Sequence, residues 1–129
     1  MPERGTVLAF DFGLKRIGVA VGEAELHTAH PLPAVENFEQ IGKLVSEWRP
    51  SALIVGVPVA EQGAHPFAKR VEKFARQLKG RYRLPVTLVD ERFSSVEAES
   101  KLKGVKNKQV DSVAAQLILE QYFHDHKAA

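Results

Sequence analysis

Residues Thr6–Gly22 read Thr-Val-Leu-Ala-Phe-Asp, then Phe-Gly-Leu-Lys-Arg, then Ile-Gly-Val-Ala-Val-Gly. The first six are apolar up to a carboxylate, Asp11, which predicts a buried strand ending in an acid. The next five contain Gly13 and two cations, Lys15 and Arg16, and predict a tight turn. The last six, ending at Gly22, are small and β-branched and predict the hairpin partner, with Gly13 and Gly18 suited to a turn and to close backbone approach.

Reading outward, Pro31 and Pro33 frame an extended piece around Leu32–Val35. Proline cannot donate to an interior ladder, so this segment belongs at a sheet edge. Phe38, Ile41, Leu44, Val45 and Trp48 share one face at helical spacing, and the helix should stop before Pro50. Ala52–Val57 is an uninterrupted apolar run, the pattern of a strand covered on both faces. From Pro66 to Leu78 the pattern is amphipathic: Phe67, Val71, Phe74, Ala75 and Leu78 fall on one side, with Lys69, Arg70, Lys73 and Arg76 largely on the other. Val86–Glu91 is a further strand ending in acids. Ser94 or Ser95, with Glu97 as capping-box partner of Ser94, predicts a helix to about Leu102. A last helix over about Val110–Phe123 should bury Val113, Ala114, Leu117, Ile118 and Tyr122 or a close set. The order β-β-β-α-β-α-β-α-α implies an antiparallel start joined to parallel βαβ units, a mixed α/β sheet flanked by helices.

The chain has 129 residues, 44% hydrophobic and 26% charged, which suits one soluble globular domain spanning residues 1–129. No signal-peptide pattern opens it and no stretch is apolar enough to span a bilayer, so a cytoplasmic protein without membrane association is expected. With no cysteine, disulfides, thiolate metal sites and cysteine nucleophiles are excluded. The formal net charge of +2 is a mild hint of a polyanionic partner. Its distribution says more: Lys101–Lys108 gathers lysines, Lys106 and Lys108 among them, with no acid between.

Asp11 and the pair Asp90-Glu91 end two strands that, if central and parallel, bring their acids to one edge of the sheet, where such folds carry function. Clustered carboxylates repel and are costly to bury, so a cation is expected among them. Asp111, near the start of the last helix, suits a third ligand or a simple capping role. Hard oxygen donors favour Mg²⁺ or Mn²⁺. Two such ions about 4 Å apart support in-line hydrolysis of a phosphodiester. The histidines His27, His30, His65, His124 and His126 are scattered and make poor metal ligands.

Together, Ala9–Gly22, Gly56-Val-Pro58, Phe74-Ala75, Val89–Ser95 and Val110–Ala115 resemble motifs of the YqgF/RuvX family of ribonuclease-H-like proteins, over nearly the whole chain. The family is associated with pre-16S ribosomal RNA processing and with Holliday junction resolution. The resemblance implies a ribonuclease-H-like fold and a metal-dependent nuclease in which Asp11, Glu91 and Asp111 are both catalytic residues and metal ligands. Because a strand alternates its faces, only one of Asp90 and Glu91 can point into the site, and Glu91 is expected to. Lys15, Arg16, Arg92, Ser94, Ser95, Lys106 and Lys108 would contact nucleic acid. Gly56–Gly63 departs from the family pattern of Asn followed by an Asp-Gly turn, and Ala60 cannot hydrogen-bond a substrate as Asn would.

The expected substrate is an rRNA precursor or, alternatively, branched DNA, handled by a monomer or a homodimer. Of Phe12 and Phe93, the best candidates for stacking on bases, core packing is the simpler expectation. Two other function classes compete. Asp11-Phe-Gly13 also resembles the phosphate loop of actin-like and sugar-kinase ATPases, although those need two such domains to close over ATP. A non-catalytic RNA- or ribosome-binding module is the other, but a pure binder of polyanions would gain affinity by losing these acids.

Overall fold

The computed structural model describes residues 5–58, 67–91 and 110–125; for Pro58, Glu91, Val110 and Asp111 it describes the backbone alone. Its elements are β1 (Thr6–Asp11), β2 (Ile17–Glu23), β3 (Thr28–Val35), α1 (Phe38–Trp48), β4 (Ala52–Pro58), α2 (Ala68–Tyr82), β5 (Val86–Glu91) and α3 (Val110–Asp125). The expected helix from Ser94 or Ser95 to Leu102 lies outside the described residues.

The five strands form one sheet in the order β3-β2-β1-β4-β5. β1 pairs antiparallel with β2, and β2 with β3, while β1–β4 and β4–β5 are parallel. The proline-bearing β3 is an edge strand, as its sequence requires, and it starts four residues earlier than the Leu32–Val35 core of the pattern.

Alternation along β1 builds two cores. Leu8 and Phe10 join Val19, Ile41, Leu53, Val55, Phe74 and Leu78 on the face covered by α1 and α2. Val7 and Ala9 join Ala20, Ile54, Val89, Ile118, Leu119 and Phe123 on the face covered by α3. Leu53, Ile54 and Val55 of β4 are all fully buried because both faces are roofed.

The helix ends follow local chemistry. The Asn37 side chain accepts from the Gln40 N–H at 2.9 Å, while Gln40 Oε1 accepts from the Glu36 N–H at 2.6 Å. α1 stops before Pro50 with Arg49 at φ 45°, its N–H donating to the Val45 carbonyl. Ile41 is fully buried, whereas Trp48, expected on the same face, is 38% exposed in the last turn. α2 runs past Leu78 to Tyr82, four residues on and on the same face; the Tyr82 hydroxyl donates to the Phe38 carbonyl at 3.0 Å and ties α2 to α1.

Candidate active site

Asp11 is the last residue of β1, half-buried, and pairs across the hairpin with Gly18. Val7 and Ala9 belong to the α3 core, so alternation turns Asp11 to the α3 side of the sheet. The next residue, Phe12, goes the other way. Its ring lies 4.8 Å from that of Phe74 and 5.7 Å from that of Phe67, so it anchors the chain leaving β1 into the α2 core and is not an exposed stacking platform. Gly13 follows, and a Cβ there would stand 2.6 Å from the Arg16 carbonyl oxygen, so the turn excludes any side chain at this position. Lys15 and Arg16 are exposed on that turn, at the sheet edge where Asp11 ends.

β5 reaches the same edge. Val86 packs against the α1/α2 core and Val89 sits in the α3 core, so the exposed Asp90 shares the α2 face with Val86 and Leu88, opposite to Asp11. Position 91 has the parity of Val89 and Asp11. The register pairs Phe10 with Val55 and Val55 with Leu88, so Asp11 lies level with Val89 across β4, about 10 Å away at the usual strand spacing, and Glu91 two residues further along.

The start of α3 is fixed at this edge by a residue that sequence reading passed over. Ser112 is fully buried, and its Oγ accepts a hydrogen bond from the Val19 N–H at 3.2 Å. Val19 lies next to Gly18, the pairing partner of Asp11, where the β2–β3 register is irregular. The available signal was a single hydroxyl in the first turn, next to the apolar run Val113-Ala114-Ala115. From Ser112 the helix runs across the sheet to the other end of β2, where a Cβ on Gly22 would meet the Thr28 carbonyl and stand 3.0 Å from side-chain atoms of Leu119 and Phe123. The backbone of Asp111 therefore lies at the end of the sheet that carries Asp11, next to the anchored Ser112.

Among the described residues no three His, Asp or Glu side chains gather as a metal site; of the three expected ligands, Asp11 alone has a described side chain. Arg92, Ser94, Ser95, Lys106, Lys108 and the divergent stretch around Ala60 lie outside the described residues. His27 stacks on Phe123, with ring centroids 5.5 Å apart, and takes a packing role.

The family model for RuvX, described as a Holliday junction resolvase, matches residues 5–125. The chain belongs to the RuvX family. A relative from Paraburkholderia phytofirmans named "Putative pre-16S rRNA nuclease" is 48% identical over 91% of this chain and 86% of its own length. One of the same name from Nitrosomonas europaea is 46% identical over 97% of this chain and 93% of its own. Among solved structures, RuvC of T. thermophilus in complex with a Holliday junction substrate superposes with a TM-score of 0.56 at 16% identity, covering 94% of each chain. At that identity the likeness establishes a shared RuvC-like, ribonuclease-H-like fold. The motifs that suggested the family and the mixed sheet they implied are both borne out. Among the described residues no helix is long and apolar enough to cross a membrane.

Proposed function

We propose that this RuvX-family protein is a metal-dependent nuclease that hydrolyses phosphodiester bonds in the 5′ region of pre-16S rRNA, acting in the cytoplasm as a single ribonuclease-H-like domain. The reading is carried by one observation: half-buried Asp11 ends a central strand on the α3 side, at the edge where the Ser112–Val19 bond holds the start of α3. In this reading Asp11, Glu91 and Asp111 hold Mg²⁺ or Mn²⁺. The donor chemistry suits those ions, being carboxylate oxygen in a chain without cysteine. Bound there, the metal would lower the pKa of an attacking water and neutralise charge on the attacking and leaving oxygens.

The protein's own groups orient the substrate. Lys15 and Arg16, on the turn after Asp11, approach the phosphates flanking the scissile bond, joined by Arg92, Ser94, Ser95, Lys106 and Lys108. Asp90, on the other face of β5, takes no part. The parity of position 91 with Asp11 supports Glu91 as the acid of β5.

The description of the family and its fold neighbour favour a second reading, resolution of four-way DNA junctions. A resolvase needs two sites held by a homodimer, whereas trimming of an RNA end can be done by a monomer. The test is 5′-end mapping of pre-16S rRNA after incubation with purified protein and Mg²⁺, alongside a labelled four-way junction. Shortened rRNA 5′ ends with an intact junction support the first reading. Symmetric nicking of the junction with untouched rRNA would replace it with the second.

A further inference from the structure

The outward face of α2 is the most strongly charged surface on any described element. Lys69, Arg70, Lys73, Arg76, Lys79 and Arg81 are all exposed, against one acid, Glu72. Six cations against Glu72 give this helix a formal charge well above the +2 of the whole chain, so the rest of the protein, which includes the lysines of 101–108, is net negative.

Helix stability does not account for the arrangement. Lys69 and Arg70 occupy the first turn, where the helix dipole disfavours cations, and that turn contains no acid. Lys69, Lys73 and Arg76 follow one another at spacings of four and three, where like charges repel. Only Lys79 and Arg81, in the last turn, suit the dipole, and Arg81 also lies over the Phe38 ring at 4.1 Å.

The topology gives the stripe a direction. Because β4 and β5 are parallel, α2 must carry the chain back across the sheet, so it begins at the edge where Asp11 ends. The contact between the Phe67 and Phe12 rings fixes that placement. From Lys69 to Lys79 the cations lead away from the edge for about 15 Å at helical rise. They border a groove of about 300 Å³ between α2 and β5, lined by Glu72, Ala75, Arg76, Lys79, Val86 and Leu88, in which two cations face one acid.

We propose that this face of α2 is a track for the RNA backbone, binding phosphates that lie beyond the scissile bond and setting the direction in which the precursor leaves the active site. The proposal rests on the nuclease reading, with RNA as the occupant because an unbranched line of cations complements a polyanionic strand.

Binding of a labelled RNA hairpin with a single-stranded 5′ extension, measured in EDTA at several salt concentrations, tests it. Wild type is compared with the triple variant K69Q/K73Q/R76Q and with K43Q on α1, each checked for an unchanged melting curve. Loss of three phosphate contacts should lower the slope of log affinity against log salt by about 2, while K43Q keeps the wild-type slope. If the triple variant retains the wild-type slope and affinity, the track is refuted, although wild-type cleavage in Mg²⁺ would still uphold the nuclease. If wild type neither binds nor cleaves RNA, both fail together.

Discussion

The Ser112 hydroxyl accepts a hydrogen bond from the Val19 backbone N–H at 3.2 Å, in a fully buried setting and across 93 residues of sequence. The bond joins the first turn of α3 to β2 one residue from Gly18, which itself pairs with Asp11. Further along α3 the Gln116 side-chain amide donates to the Ala29 carbonyl of β3 at 3.3 Å, and the remaining contacts of the helix with the sheet are mainly apolar and leave its first turn free to shift at modest cost. A directional bond at its start removes that freedom and fixes where the neighbouring Asp111 backbone stands relative to Asp11.

Ser112→Ala leaves the buried Val19 N–H without its partner. The expected cost is about 1–3 kcal/mol, read from urea unfolding. If Ser112 also positions the active site, nuclease activity of the folded variant falls while its RNA affinity in EDTA stays near wild type. Unchanged stability would show that water or a shifted backbone takes over the bond.

Gly22→Ala places a methyl group against the Thr28 carbonyl and the Leu119 and Phe123 side chains. Because the obstacle includes backbone, β3 or α3 must move, and overpacking of this kind costs about 1–3 kcal/mol. A lowered thermal midpoint is expected, and an unaltered one would contradict the close approach of α3 to β2.

Much of this architecture was legible in the sequence. The hairpin of β1 and β2, the edge character of β3 and the buried β4 all follow from short patterns with one physical cause each: an acid after an apolar run, prolines at alternate positions, an apolar run with no polar break. α3 was less legible. Val113, Leu117, Ile118 and Tyr122 are buried as expected, but so are Ser112, Ala115, Leu119 and Phe123, while Ala114 is half-buried. A helix buried on more than one side loses the periodic contrast on which such a reading depends. The place of Asp11 at the end of a buried strand was legible from the apolar run before it, whereas its role as a ligand rests on the proposal above. Which of positions 90 and 91 shares the side of Asp11 needed the cores joined by Val86 and Val89, which the run Val86–Glu91 does not reveal by itself because each face carries apolar residues and ends in an acid.

Phe74 meets the rings of Phe10, Phe12 and Phe38 at 6.0, 4.8 and 5.7 Å. Phe74→Ala should cost about 3–5 kcal/mol and loosen the residue that follows Asp11. Denaturant unfolding measures the first effect. Faster proteolysis in the turn after Asp11 measures the second.

Burial pushes the Tyr82 hydroxyl above its usual value of 10.0, with Arg81 offsetting part of the rise. Above that value the unfolded chain ionises Tyr82 while the folded protein still holds the proton. Its contribution to stability is therefore complete below pH 10 and is lost as pH rises through the higher folded value. Tyr82→Phe should flatten the alkaline limb of the thermal midpoint against pH, and an identical limb in the variant would contradict this assignment.

The central claim is that Asp11 helps to hold a catalytic metal. The most direct test compares wild type and Asp11→Asn on labelled pre-16S rRNA, single-stranded RNA and four-way DNA junctions, in Mg²⁺, in Mn²⁺ and in EDTA. The substitution removes one charge at nearly constant volume, so folding should survive. The account predicts that wild type cleaves the rRNA precursor only with metal, and that Asp11→Asn folds, binds RNA in EDTA at least as tightly as wild type and does not cleave. Metal-independent cleavage, or full activity in Asp11→Asn, would contradict it.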